Sequence, residues 1–85
     1  MYYVYVLRSE KDKNFYTGCT NDLRRRLLEH NRGKNISTKS RKPFKLIYYE
    51  AYILKEDAEN RERFLKTNLG KRFLKKQLKS YLEKF

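Results

Sequence analysis

Five residues of this 85-residue chain have types and spacings that could do chemistry. They are Tyr5, Tyr16, Arg26, His30 and Glu62. A phenol beside a cation can accept a proton. A guanidinium suits a phosphate because its planar fork offers several donors and it does not deprotonate. An imidazole can hold water or a phosphate oxygen, and a carboxylate can bind a divalent cation. Together these groups are the parts that a metal-dependent phosphodiesterase would need.

The two tyrosines belong to predicted strands. Residues 1–7 are aromatic and β-branched, and residues 15–20 return to that composition after a polar turn, which predicts an antiparallel hairpin. Apolar side chains on both faces of the first strand indicate a central strand that is covered on both sides. The hairpin could place the phenols of Tyr5 and Tyr16 on one face. The alternative is that both rings are ordinary core residues.

A helix that follows Asp22 carries the arginine and the histidine. Leu23, Leu27 and His30 share one helix face, which predicts that the imidazole points toward the sheet. Arg26 lies next to that stripe and is expected at its edge. The alternative is a half-buried histidine beside a solvated arginine.

Glu62 occupies a position where the periodicity of the helix predicted over 55–66 expects an apolar side chain. It lies between Ala58 and Leu65 on the same stripe. A buried carboxylate must pair with a cation or become neutral. Glu62 could therefore form an ion pair, for example with Arg26, or bind one Mg²⁺ or Mn²⁺ whose shell is mostly water.

The remaining pattern predicts one α+β domain over 1–85, in the order β-β-α-β-α-α, with a three-stranded, largely antiparallel sheet flanked by helices. A third strand is predicted over 44–53, a break over 68–70 and a basic helix over about 71–84, outside a core of about 2–67. Strict alternation would put one set of third-strand residues on one face and the other set on the opposite face. The first set is Leu46, Tyr48, Glu50 and Tyr52, and the second is Ile47, Tyr49, Ala51 and Ile53.

The charge favours a polyanionic partner. Lys and Arg total 22 against 10 acidic residues, a formal net charge of +12, which predicts contact with nucleic acid. The segment 32–45 contains no acid, and its cations are candidates for backbone contacts: Lys34, Lys39, Arg41, Lys42 and Lys45. A single cysteine excludes an internal disulfide, and no apolar run is long enough for a membrane span. We expect a cytoplasmic protein, and we favour a monomer.

The spaced set of motifs resembles the GIY-YIG nuclease superfamily, in particular its small stand-alone bacterial members of the UPF0213 type. The first motif corresponds to Tyr3-Val4-Tyr5 and the second to Tyr16-Thr17-Gly18. The helix arginine of the family falls on Arg26, its His-or-Tyr position on His30, and its metal-binding glutamate on Glu62. The resemblance covers roughly residues 2–67.

The chain departs from the family pattern at three positions. Tyr3 replaces the first-motif glycine and Thr17 stands in the middle of the second motif. Both positions support the backbone, as does Gly18. Asn21 stands where some relatives have a lysine, which removes one phosphate contact or proton-transfer aid.

The resemblance implies a divalent-metal-dependent endonuclease that favours DNA. Glu62 would hold one Mg²⁺ or Mn²⁺, and Tyr5 would accept a proton from the attacking water. Arg26 would stabilise charge on the phosphoryl oxygens, while His30 and Tyr16 would orient water and phosphate. Two other classes stay open: a non-catalytic nucleic-acid-binding module that uses the segment 32–45 and the C-terminal helix, and an adaptor that presents this helix to an acidic protein.

Overall fold

The computed structural model describes residues 1–85 as one three-stranded sheet with four α-helices. The strands are β1 (Tyr2–Ser9), β2 (Phe15–Thr20) and β3 (Phe44–Tyr52). The α-helices are α1 (Leu23–Asn31), α2 (Lys55–Leu65), α3 (Asn68–Gln77) and α4 (Lys79–Lys84), and a short 3-10 helix spans Lys39–Arg41. None of the helices combines the length and the apolarity that crossing a bilayer requires.

The sheet is antiparallel with the order β2-β1-β3, so the α+β prediction is confirmed and β1 is its central strand. Val4 and Val6 point to one face, where they form a buried cluster with residues of α2 and α3. Tyr5 and Leu7 point to the other face and pack with α1. This two-sided burial explains the nearly continuous apolar run of β1.

The alternation predicted for β3 is wrong at its beginning. The β1–β3 pairing shifts between Val6 and Leu7, so that Val6 pairs with Tyr48 and Leu7 with Leu46. The extra residue, Ile47, bulges from the ladder. Leu46 consequently packs with Leu7 on the α1 face, whereas Ile47 and Tyr48 both contact the cluster on the opposite face.

The predicted break over 68–70 is also wrong, because α3 begins at Asn68 and contains Gly70. The Thr67 side chain caps this helix by accepting a hydrogen bond from the Gly70 N–H at 3.1 Å. A Cβ at Gly70 would overlap the backbone of Phe64 and Leu65. Glycine is therefore needed for the close approach of α3 to the end of α2, rather than for a turn.

The C-terminal segment forms two helices instead of the single helix predicted over about 71–84. The chain leaves helical geometry at Leu78, which has φ −103° and ψ 22°. α4 follows at Lys79–Lys84, and its Tyr81 ring lies 5.9 Å from the Arg8 guanidinium. The observed order is therefore β-β-α-β-α-α-α.

Candidate active site

The imidazole of His30 is the centre of the candidate site. It is fully buried, and its Nε2 lies 3.0 Å from the Tyr5 hydroxyl. Its Nδ1 lies 2.8 Å from Oγ1 of Thr38, which is also fully buried. The Tyr16 ring packs edge-on against the imidazole, with centroids 4.9 Å apart. The predicted convergence of the two tyrosines on one face is therefore observed, around His30.

Local sequence explains how α1 places this histidine. Asp22 is the N-cap of this helix and accepts a hydrogen bond from the Arg25 N–H at 3.0 Å. Leu23 and Leu27 pack against the cluster that contains Tyr5, so the face that they share with His30 is directed at the sheet. A polar residue on that stripe is buried with its partners instead of being solvated.

Arg26 lies one turn earlier on α1 and completes the contacts of the Tyr5 hydroxyl. Its Nε donates to Tyr5 Oη at 3.4 Å, and its Nη1 donates to Glu29 Oε1 at 3.1 Å. The side chain keeps 30% of its surface exposed. The guanidinium can therefore hold the phenol and still face an incoming anion.

Gly18 allows the Tyr5 phenol to lie at the edge of the sheet. The two residues are paired across β1 and β2, and a Cβ at Gly18 would overlap the Tyr5 hydroxyl. Because β2 is an edge strand, the hydroxyl lies over the edge of the sheet, while the Tyr5 residue as a whole is 2% exposed. The motif glycine is thus explained by this close approach.

The Tyr5 phenol keeps its proton at neutral pH. Burial raises its pKa to about 12, against the opposing hydrogen bond and positive charge of Arg26. The nearby Tyr16 and the negative charge of Glu62 also act to raise this pKa. Tyr5 can therefore take a proton from water only if its own proton has an acceptor.

His30 is a suitable acceptor. Burial lowers its pKa below the ordinary 6.5, and the charge of Arg26 lowers it further, so the ring is neutral at neutral pH. With Arg26 donating to Tyr5, the phenol donates to Nε2 of His30 and the Nδ1–H donates to Thr38. Thr38 Oγ1 in turn donates to the Asn35 carbonyl at 3.4 Å. This direction of hydrogen bonding gives every group a partner.

The role expected for His30 changes with this geometry. Contact with water or a phosphate oxygen was expected, but the ring has no exposed surface and both nitrogens bind protein groups. His30 therefore positions Tyr5 instead of meeting a substrate. Thr38, which fixes the ring, had no local signal because it lies in the irregular segment eight residues beyond His30.

Glu62 approaches the same edge from α2, which packs on the opposite face of the sheet. The charge of Glu62 acts to raise the pKa of the Tyr5 phenol. The pKa of the Cys19 thiol is raised by burial and, to a smaller extent, by the charges of Glu62 and Glu59. The side chain is 22% exposed and pairs with Lys66 at 2.7 Å. The suggested partner Arg26 pairs with Glu29 instead, at 3.1 Å.

The donors present suit only a weakly held, hydrated cation. No group of three or more His, Cys, Asp or Glu side chains is arranged to share a metal ion. Glu62 offers hard carboxylate oxygens at a partly open position, and Mg²⁺ commonly keeps several waters when it binds one or two carboxylates. Glu62 can therefore hold such an ion, in competition with Lys66.

The cations predicted to contact nucleic acid have different surroundings. Four of them are exposed: Lys34, Lys39, Lys42 and Lys45. Arg41 instead donates to Asp12 at 2.8 Å and to the Phe15 carbonyl at 3.3 Å. This pair lowers the pKa of the Asp12 carboxyl. Arg41 therefore fastens the segment 32–45 to the β1–β2 loop and is not a free phosphate ligand.

Two recesses flank the Tyr5–Gly18 contact along β2. The recess near Cys19 and Thr20 is lined by three cations and two acids: Arg25, Arg26, Lys55, Glu29 and Glu59. The groove near Phe15–Thr17 is lined by five cations and no acid: Arg8, Lys13, Lys66, Lys71 and Lys75. Sequence reasoning missed this groove because its cations come from β1, the β1–β2 loop, the α2–α3 connection and α3.

The arrangement corresponds to a known class. The GIY-YIG catalytic domain profile matches residues 1–78, and the chain therefore belongs to the GIY-YIG family.

Its relatives are small proteins of the UPF0213 type. A UPF0213 protein of Clostridium perfringens is 43% identical over 67 residues, which cover 78% of this chain and 71% of the relative. A UPF0213 protein of Streptococcus pneumoniae is 46% identical over 65 residues, or 75% of this chain and 65% of the relative. The solution structure of a UPF0213 protein from Bacillus halodurans is 37% identical with a TM-score of 0.53, covering 87% of this chain and 82% of that one.

Proposed function

We propose that this protein is a divalent-metal-dependent endonuclease that hydrolyses phosphodiester bonds in nucleic acid, with DNA favoured. The observation that carries the proposal is the hydrogen-bonded series Arg26–Tyr5–His30 at the sheet edge, with Glu62 beside it. It combines a cation for the phosphate, a proton acceptor for water and a carboxylate for a metal ion.

The proton moves in one direction through this series. Tyr5 accepts a proton from the attacking water as its own proton passes to Nε2 of His30. The Nδ1–H of His30 stays on Thr38, so the imidazolium forms with both nitrogens paired. The hydroxide that results attacks phosphorus, and the bond to the leaving oxygen breaks.

Arg26 acts on the phosphate and on the phenol together. Its exposed fraction faces the charge that develops on the phosphoryl oxygens, and its Nε donates to the phenol oxygen and holds it in place while the two protons move. A Mg²⁺ or Mn²⁺ held by Glu62 would supply Lewis-acid stabilisation of the scissile phosphate and the leaving oxygen. Tyr16 supports the imidazole from its side.

A cleavage panel tests this proposal. Supercoiled plasmid, branched DNA, single strands and RNA are incubated with Mg²⁺ or Mn²⁺ and the wild-type protein. Arg26→Ala should lower cleavage about 100-fold or more, as loss of one transition-state donor commonly does. Arg24→Ala, an exposed arginine on the same helix, is the matched control and should cleave normally.

The second candidate is a nucleic-acid-binding module without catalysis. The observation that favours it is the Glu62–Lys66 ion pair, which occupies the carboxylate that a metal needs. This candidate predicts binding that weakens steeply with salt and no nicks with any divalent cation. Metal-dependent nicking that Arg26→Ala removes would rule it out.

A further inference from the structure

The groove between β2 and α3 is strongly positive, and its basic side chains have no role in the proposed reaction. Its walls carry five basic side chains over a floor of Leu65, Leu74 and Leu82. Lys13, Lys71 and Lys75 are exposed and have no carboxylate within ion-pair distance. Unbalanced like charges destabilise a small fold through mutual repulsion, so their clustering calls for an anionic partner.

Close packing places this groove beside the candidate site. Gly70 lets α3 approach the end of α2, which brings Lys71 and Lys75 opposite the start of β2. Lys66 belongs to the lining of the groove and also pairs with Glu62 at 2.7 Å. The groove therefore begins at the carboxylate that would hold the metal ion.

We infer that this groove binds the phosphodiester backbone of the substrate strand next to the scissile bond, an inference that rests on the proposed function. The charge is complementary to a polyanion. The groove follows β2, the strand over which the Tyr5 hydroxyl packs, on the sheet face that carries α2 and Glu62. Contacts of this kind give affinity and orientation without reading base sequence. Lys71 and Lys75 are the principal contacts. Lys66 also becomes available for the backbone when a divalent cation replaces it as the partner of Glu62.

The chain offers a matched pair of double variants. Lys71→Gln with Lys75→Gln removes two charges from the groove side of α3. Arg72→Gln with Lys76→Gln removes two charges, at the same i, i+4 spacing, from exposed positions of α3 outside the groove lining. Both variants have the same net charge, so a general effect of charge on binding would be equal in the two.

The test is fluorescence anisotropy with labelled single-stranded and duplex oligonucleotides in EDTA, across a range of salt concentrations. The groove variant should bind about tenfold more weakly, and its log–log salt slope should fall by about 1.4 to 1.8, from two lost phosphate contacts. The control should stay within about twofold of wild type with an unchanged slope. The stronger-binding oligonucleotide identifies the strand form that the groove takes.

Equal losses in both variants, no loss in the groove variant, or no binding by the wild-type protein would each overturn the inference. Circular dichroism melts verify that both variants are folded. Failure of the proposed function gives a different result. If the groove variant binds weakly but no divalent cation supports cleavage by the wild-type protein, the groove stands and the nuclease assignment fails.

Discussion

The two edges of the sheet carry clusters built from nearly the same residue types, but their phenols donate to different acceptors. At the β3 edge, the hydroxyls of Tyr48 and Tyr52 donate to Glu50 at 2.5 and 2.6 Å. Arg61 donates to both oxygens of the same carboxylate at 2.8 and 3.1 Å. The Arg61 guanidinium lies over the Phe64 and Phe73 rings, 4.9 and 4.8 Å from their centroids.

The difference between the clusters is the acceptor of the phenol. At the β3 edge the acceptor is a carboxylate that is charged already. Burial would raise the pKa of Glu50, but the hydrogen bonds of Arg61 and the phenols hold it below its usual value. At the β2 edge the acceptor is the neutral His30, which can gain a proton. Tyrosine and arginine occur in both clusters, and the Arg26 and Arg61 side chains are almost equally exposed, at 30% and 28%. The neutral acceptor is therefore the feature that separates the two clusters.

Removing one hydroxyl from each cluster should have the most unequal effect. Tyr5→Phe removes the proton acceptor, and cleavage should fall by about 10²- to 10⁴-fold in single-turnover assays. Tyr48→Phe removes a hydroxyl of equally raised pKa, about 12, and should leave the rate unchanged. It should instead cost about 1 kcal/mol of unfolding free energy, measured by urea denaturation. Equal rates for the two variants would contradict the comparison.

A substitution in the β3 cluster should change the free energy of unfolding and leave the cleavage rate unchanged. Glu50→Gln leaves the half-buried Arg61 without its charged partner, which should lower the free energy of unfolding by about 2 to 3 kcal/mol in urea titrations. The cleavage rate, measured well below the melting temperature, should not change. A rate loss in a folded Glu50→Gln protein would show that the two edges are coupled.

The third change acts on the β2 cluster through Thr38. Thr38→Val keeps the side-chain shape but leaves the Nδ1–H of His30 unpaired in the core, which costs about 1 to 3 kcal/mol. The cleavage rate should fall by about tenfold, with the substrate KM unchanged. Thr38→Ser should restore the rate because it restores the hydroxyl. A Thr38→Val protein that is less stable but fully active would limit Thr38 to a structural role.

The smallest effect is a pH dependence, which is simple to assign because His30 is the only histidine of the chain. Its pKa in the folded protein lies below 6.5, the ordinary value. Between these two values the unfolded chain binds a proton that the folded chain does not, so stability falls as pH drops below about 6.5. The cleavage rate should fall over the same range, since a protonated His30 cannot accept a proton from Tyr5.

An NMR titration of the His30 ring measures this pKa directly. His30→Gln should abolish both the fall in stability between pH 7 and pH 5.5 and the corresponding fall in residual activity. A ring pKa at or above 6.5 would contradict the assignment of His30 as a neutral acceptor.

Sequence patterns predicted features that depend on neighbouring residues. The strand hairpin and the inward direction of His30 follow from patterns within short stretches of the chain. The bulge at Ile47 depends on the partner strand, and the helical position of Gly70 depends on the approach of α3 to α2, so neither has a local signal.

The same distinction applies to the candidate site. The family resemblance predicted Tyr5, Tyr16, Arg26 and His30 as one group, and the hairpin and its following helix bring these four side chains together. The Thr38 contact and the Glu62–Lys66 pair could not be predicted from the sequence, since each depends on which of several nearby hydroxyls or cations is closest in the fold. The basic groove depends on the relative placement of two strands and three helices, β1, β2, α2, α3 and α4.

The most direct test of the account is the metal dependence of cleavage in Glu62→Gln compared with Glu56→Gln. Both residues are acids of α2, but Glu56 is exposed in the first turn, outside the recess and the groove along β2. Single-turnover rates are measured across a Mg²⁺ titration. We predict that Glu62→Gln loses about 100-fold or more at every Mg²⁺ concentration, while Glu56→Gln follows the wild-type curve. Wild-type rates in a folded Glu62→Gln protein would contradict the central claim that this sheet edge is the site of metal-dependent hydrolysis.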